Sequence, residues 1–211
     1  MKEKVDQLLK HVQFSLLLCN EALNEILNIT QTPNTNEEHD LVNGKPFSFY
    51  GVTLQYCFIM EYTKLMEDDL RTEDKNVASL NRLNRAVNEL VGSKYDNIFN
   101  EKRGLLGEIR KSILHEKLLA LRNNKFGHSG NHPINSPFKI AGFTGEQIIE
   151  MGKHIKIFLK IANNCFGASS ATTLGIANDD RTANFIRYHA KYKQYYFKNF
   201  IKAEEEGYGL R

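Results

Sequence analysis

The side chains best suited to chemistry in this sequence lie in LRNNKFGHSG, positions 121–130. Arg122 offers a planar guanidinium that stays charged and binds phosphate through two parallel hydrogen bonds. His128 follows after five intervening residues, and its imidazole can accept or donate a proton near neutral pH. Asn123 adds an amide that can orient a phosphate or the imidazole. Together these residues predict proton transfer beside a phosphate group.

The spacing of Arg122 and His128 permits this chemistry only if the helix ends between them. Six residues along a continuous α-helix place two side chains roughly 120° apart around the axis. Gly127 is where the helix is expected to end, and a turn there would return His128 to the arginine. A second interpretation is structural, because arginine and histidine near a helix C-terminus complement the helix dipole. The spacing alone leaves both interpretations open.

Helical periodicity dominates the rest of the chain. Apolar residues recur at steps of three and four, and no segment shows the sustained alternation of a β-strand. The pattern predicts a single all-α domain over residues 1–211, a bundle of five or six helices with loops near 31–46, 128–143 and 167–178. The predicted helices cover about 5–27, 47–70, 77–92, 101–126, 144–167 and 180–206.

Two of the predicted helices have recognisable ends. Gly92 is expected to stop the third helix, because glycine tolerates the left-handed backbone common after a helix C-terminus. Thr144 and Gln147 have the spacing of a capping box, which predicts a helix beginning just after Thr144.

Burial can also be predicted from the apolar stripes. The helices within 45–71 and 101–126 have few polar interruptions on their apolar faces and are expected to be the most buried. Within the second of these, Leu114 and Leu118 are predicted core residues.

The composition predicts a cytoplasmic protein without membrane association. With 211 residues, 41% of them hydrophobic, the chain can form a core without disulfides or metals. Cys19, Cys57 and Cys165 lie singly among apolar residues, as expected for reduced thiols. No apolar run reaches the length of about 20 residues that a membrane span needs, and the charged N-terminus is unlike a signal peptide. A net charge of +3 permits a nucleic-acid partner without requiring one.

The C-terminal segment, residues 179–206, interleaves aromatic and basic side chains. Because bases stack on exposed rings while lysines contact phosphates, Lys191, Tyr195 and Lys198 are predicted to bind RNA. The competing interpretation is a packed apolar face. Spacings of three and four favour packing for one stripe and leave Tyr195 and Phe197 for a partner or dimer surface. The stripe comprises Phe185, Tyr188, Tyr192, Tyr196 and Phe200.

Three other kinds of site are disfavoured by the sequence. GHSGN at 127–131 lacks the last glycine of a serine-hydrolase G-x-S-x-G elbow and has no strand before it. His128 and His132 are spaced like two zinc ligands, but no H-E-x-x-H pattern or nearby cysteine completes a site. The acidic runs at 37–40 and 67–69 could suggest a two-metal centre, but they are more typical of solvated charges. No metal site is predicted.

The stretch from Arg122 to His128 resembles the R-x(4–6)-H motif of the HEPN superfamily. The five intervening residues fall within the family range, and Asn123 matches the polar residue that usually follows the arginine. The resemblance is greatest to the abortive-infection branch, in which a Ser-Leu-x-x-Leu helix similar to SLNRLNRAVNEL, positions 79–90, precedes the motif. Gly127 and Gly130 depart from that branch, where alanine and aspartate are more frequent.

This resemblance implies a metal-independent endoribonuclease that works as a homodimer. Two copies of the motif would face each other across a two-fold axis and form one cleft. The RNA 2′-hydroxyl would attack, His128 would assist proton transfer, and Arg122 would stabilise charge on the scissile phosphate. Asn123 belongs to the same catalytic set, and Lys125 would bind RNA beside it. No cofactor is expected.

The biological setting that the resemblance implies is phage defence by abortive infection or a toxin–antitoxin pair. A cognate antitoxin is then a candidate partner beside RNA. An alternative stays open, a catalytically inactive HEPN-like module that binds RNA or protein, since Arg122 and His128 could persist as groups at a dimer interface.

Overall fold

Eight α-helices make up the described part of the chain, and no strand occurs there, which confirms the predicted all-α fold class. The computed structural model describes residues 2–67, 78–123, 143–166 and 181–205, without the side chains at 45, 164–166, 196–197 and 200–205. In chain order the helices are α1 (Lys2–Gln31), α2 (Asn36–Asn43), α3 (Lys45–Leu65), α4 (Leu80–Val91), α5 (Asp96–Arg110), α6 (Ile113–Leu121), α7 (Gly145–Phe166) and α8 (Arg181–Glu205). A 3₁₀ turn (Ser93–Tyr95) joins α4 to α5.

Helix α1 lies at the centre of the core. It packs most extensively on α3 and also contacts α4, α7 and α8. Its apolar stripe is buried as predicted, with Val12, Leu16 and Cys19 fully removed from solvent. The expected ranking of burial is wrong for α5, which buries three of its 15 residues, whereas α1 buries ten of 30 and α6 buries three of nine. The reason is position, since α1 has neighbours on several sides.

A short helix, α2, occupies the segment near 31–46 that was predicted to be a loop. Thr35 begins it, because its hydroxyl accepts a hydrogen bond from the backbone N–H of Glu38 at 3.2 Å. The Glu38 carboxylate in turn accepts from the N–H of Asn34 at 2.7 Å and is buried, so this member of the acidic run is not solvated. Pro46 does not interrupt a helix, because it lies in the first turn of α3, where proline is tolerated.

The predicted helix over 101–126 is two helices in the structure. Ser112 interrupts it, since its side chain accepts from the N–H of His115 at 3.1 Å and begins α6. The new helix changes the face that is buried, so Ile113 is 80% exposed while Leu114 and Leu118 are buried as predicted. This break and α2 account for eight helices where five or six were expected.

Both predicted helix ends are confirmed. Gly92 follows α4 with a φ of 78°, in the left-handed region, and its N–H bonds to the carbonyl of Asn88. Thr144 and Gln147 form a reciprocal capping box, with both hydrogen bonds at 3.2 Å. The predicted loops at 128–142 and 167–178 lie outside the described residues. None of the described helices combines the length and apolarity needed to cross a membrane.

The buried face of α6 gives a direct test of the core. We expect Leu118→Ala to lower the free energy of unfolding by about 2–5 kcal/mol, because it leaves a cavity at a fully buried site. Ile113→Ala in the same helix is the matched control and should change it by less than about 0.5 kcal/mol. Urea denaturation followed by circular dichroism measures both. Equal effects of the two substitutions would contradict the assigned face.

Candidate functional site

Arg122 lies at the C-terminal end of α6, where the last turn widens into a short π-helical turn over 122–123. Its side chain is half-buried, and its Nη2 lies 4.0 Å from Oε1 of Glu67, which follows α3. That separation exceeds hydrogen-bonding length, so the attraction is electrostatic and the guanidinium fork is not closed on this carboxylate. Asn123 is exposed next to it.

A second arginine fixes the same corner of the bundle. Arg110, at the end of α5, donates from Nε at 3.3 Å and from Nη2 at 2.8 Å to the backbone carbonyl of Met66. Carbonyls at a helix C-terminus have no partner within the helix and attract positive charge. The end of α3 therefore accepts hydrogen bonds from Arg110, and Glu67, which follows that end, lies beside Arg122.

The other half of the predicted motif lies beyond the described residues. Lys125 and His128 fall in the segment 124–142, as do Ser129 and His132 of the disfavoured hydrolase and zinc sites. The pairing of Arg122 with His128 therefore remains a prediction from the sequence.

Sequence reasoning missed a buried polar network between α3, α6 and α7. The Tyr62 hydroxyl and Nδ1 of His154 are 2.8 Å apart, and Nε2 of His154 lies 3.6 Å from Glu150. The ring of His115 packs against Tyr62 at a centroid distance of 5.9 Å, and its Nδ1 has no hydrogen-bond partner among the described residues. One signal was available, because His154 occupies the apolar stripe of α7 four residues after Glu150.

The chemistry of this network is that of neutral groups. Burial, with smaller contributions from Arg110 and His154, lowers the pKa of His115 to about 4. Burial also lowers the pKa of His154 and raises that of the Tyr62 hydroxyl. Because Tyr62, His115 and His154 are buried and these shifts favour their neutral forms near pH 7, the three side chains join helices without a buried charge.

The described members of the aromatic stripe on α8, Phe185, Tyr188 and Tyr192, face outward, contrary to the packing predicted from their spacing. The buried face consists of Ala183, Ile186 and Ala190, which have the same helical spacing, and the two alanines allow a close approach to the bundle. Tyr195 is exposed as predicted, and Lys191 and Lys198 are exposed beside it. Tyr196, Phe197 and Phe200 are not among the residues whose side chains the structure describes. Exposed fractions are 51% for Phe185, 72% for Tyr188, 63% for Tyr192 and 70% for Tyr195.

A cleft of about 540 Å³ lies where α8 crosses the corner between α2 and α3. Its walls are mainly apolar and include Phe47 and Phe185, whose ring centroids are 6.0 Å apart. The carboxylate of Glu25 on α1 accepts from Thr182 Oγ1 at 2.6 Å and also bonds Tyr50. Partial burial, with a smaller contribution from Glu25, raises the pKa of the Tyr50 hydroxyl. One carboxylate thus joins α1, α3 and α8.

The cleft and Arg122 lie at opposite ends of α3. Phe47 is in its first turn and Glu67 just follows its last, and twenty residues of α-helix span about 30 Å. The residues predicted to bind RNA on α8 therefore do not surround Arg122 within one chain.

No protein-family model matches this chain, and neither a curated protein nor a solved structure matches it.

The buried histidines predict a loss of stability in mild acid. The pKa of His115 is lowered on folding from 6.5 to about 4, so the unfolded chain takes up a proton first as the pH falls through that interval. One such proton lowers the free energy of unfolding by up to about 1.4 kcal/mol per pH unit, and His154 acts in the same direction.

We expect His115→Gln to lose part of this pH dependence between pH 6.5 and pH 4. His39→Gln, at an exposed position on α2, is the control and should keep it. Urea unfolding at half-unit pH steps gives the comparison. A curve for His115→Gln parallel to wild type would contradict the assignment.

Proposed function

We propose that this chain is a HEPN-like, metal-independent endoribonuclease of the abortive-infection or toxin type, acting as a cytoplasmic homodimer. The observation that supports it best is the R-x(5)-H motif, whose arginine lies at the end of α6. Among the described residues, Glu67 is the carboxylate that attracts this half-buried side chain, and the 4.0 Å separation is too long for a hydrogen bond. An RNA phosphate can therefore replace that contact with a bidentate one.

The proposed reaction uses the RNA 2′-hydroxyl as the nucleophile. His128 accepts its proton as the oxygen attacks the adjacent phosphorus, and the 5′-oxygen of the next nucleotide leaves with a proton. The products are a 2′,3′-cyclic phosphate and a 5′-hydroxyl. Arg122 cannot act as the base, because its guanidinium stays charged, so its role is to stabilise the anionic phosphorane. Asn123 orients the phosphate or the imidazole.

A second candidate is an RNA-binding module without cleavage, and the surface of α8 favours it. Residues 181–203 contain six Lys or Arg and no Asp or Glu. Lys191, Tyr195 and Lys198 are exposed on this helix, as stacking and phosphate contacts require. In either function α8 is the proposed RNA-binding surface, with Lys125 contributing near the motif.

Cleavage is the deciding measurement. We expect the wild type to cut RNA in EDTA but not DNA of the same sequence, because DNA lacks the 2′-hydroxyl. His128→Ala should reduce the rate by about 10²–10⁴-fold, as loss of a general base does. Arg122→Lys should reduce it by about 10²-fold, because an ammonium cannot form the bidentate contact.

Matched controls separate catalysis from general charge. Arg103→Lys on α5 and His39→Ala on α2 remove comparable groups at exposed positions and should leave the rate within twofold. RNA binding without cleavage across a broad panel would establish the second candidate instead. Cleavage that survives His128→Ala would assign the motif a structural role.

The composite site requires a dimer. One copy of the motif supplies half of the proposed cleft, so we expect sedimentation equilibrium at micromolar concentration to give twice the mass of 24.3 kDa. Mixing inactive Arg122→Lys and His128→Ala protein should restore part of the activity through mixed dimers. A strict monomer with full activity would exclude the composite arrangement.

A further inference from the structure

We propose that the cleft between α8 and the α2–α3 corner holds one unpaired base of a single-stranded RNA that runs along α8. This assignment rests on the RNA-binding part of the proposed function and is independent of cleavage. The cleft is remote from Arg122, so its occupant would be held rather than cut there.

The size and lining of the cleft suit a planar, mostly apolar ligand. Its volume of about 540 Å³ falls within the range of small-molecule sites, about 300–1,000 Å³. Leu41, Pro46, Phe47 and Phe185 supply the apolar lining, and the Phe47 and Phe185 rings contact each other. Polar groups that could bond a base edge or its phosphate are few and lie among the lining residues: Asp40, His189 and Lys193.

A row of aromatic rings leads from the cleft onto the outer face of α8. Phe185 packs on Phe47 and stacks on His189 at 4.8 Å with an interplanar angle of 20°. His189 continues to Tyr192 at 6.4 Å. Because Phe185 and His189 already stack on each other, bases would stack on the exposed sides of this row rather than between its rings. Every base has a flat face, so such stacking is independent of sequence, and each stacked base strengthens binding roughly 5- to 150-fold.

The charge of α8 favours a polyanion that runs along this helix. Residues 181–203 contain six cations and no carboxylate, and the cleft itself is lined by one cation, Lys193, and one carboxylate, Asp40. An apolar peptide would use the rings but not this charge. A single-stranded RNA uses both, since its phosphates follow the lysines while its bases meet the rings.

The cleft is built in advance rather than formed by its ligand. Glu25 accepts the Thr182 hydroxyl at 2.6 Å and also bonds Tyr50, so the two walls are tied to α1. Ala183 and Ile186 seat α8 against the bundle. A preformed site loses little conformational freedom on binding.

The test is fluorescence anisotropy with a labelled 12-nucleotide, 2′-O-methyl single-stranded RNA, which cannot be cleaved through its 2′ position. We expect Phe185→Ala to weaken the Kd by 5- to 150-fold, with Phe185→Leu behaving alike because it keeps apolar bulk but lacks a ring. Phe49→Ala is the matched control, since Phe49 is 76% exposed on α3 and does not line the cleft. It should change the Kd less than twofold.

An RNA with abasic sites at alternate positions completes the experiment. This RNA should bind the wild type more weakly than intact RNA does, and the Kd values of wild type and Phe185→Ala should differ less for it. If the two proteins bind intact RNA within twofold of each other, the base pocket is overturned while RNA binding stands. If the wild type binds no RNA, both the base pocket and the proposed RNA-binding role of α8 are overturned. If Phe185→Ala reduces binding of poly-glutamate but not of RNA, the cleft belongs to an acidic protein partner, which also overturns the proposal.

Discussion

The packing of α3 along α1 is the constraint on which the rest of the structure depends. These two long helices form the largest contact in the described part of the bundle, through fully buried side chains such as Leu16 and Ile59. Each end of α3 then determines one candidate site. Its first turn supplies Phe47 to the cleft, and the chain just after its last turn supplies the groups that meet Arg110 and Arg122. Neither site would keep its geometry if α3 shifted along α1.

Polar groups, rather than apolar area, fix how the smaller helices join this pair. Arg110 satisfies a carbonyl at the end of α3, the Tyr62–His154 hydrogen bond joins α3 to α7, and Glu25 joins α1 to α3 and α8. Apolar packing is tolerant of small rotations, whereas each of these bonds requires one direction. The histidines are accommodated by remaining neutral, since a buried charge without a partner would be far more destabilising.

The sequence predicted the elements whose signals are local. The stripe of α1, the stop at Gly92 and the capping box at Thr144 all depend on residues within a few positions of each other. It failed where two local patterns compete. In α8 the aromatic residues and the set of Ala183, Ile186 and Ala190 have the same helical period. The second set is buried because its alanines allow close approach to the bundle. The Tyr62–His154 pair spans 92 residues, a separation that no periodicity can report.

The distance between the two sites limits how a ribonuclease could use them. In the proposed reaction one phosphate would lie at Arg122, whereas stacking on α8 would hold bases about 30 Å away along the same chain. If two copies met through the 121–130 segment, their cleavage motifs would be central and their clefts would lie toward the outside. A single-stranded RNA would then be bound by the two outer clefts and cut between them. Affinity and catalysis would depend on different nucleotides of one RNA. Such a division suits an enzyme that selects single-stranded RNA by length and accessibility, because stacking on aromatic rings carries little information about sequence.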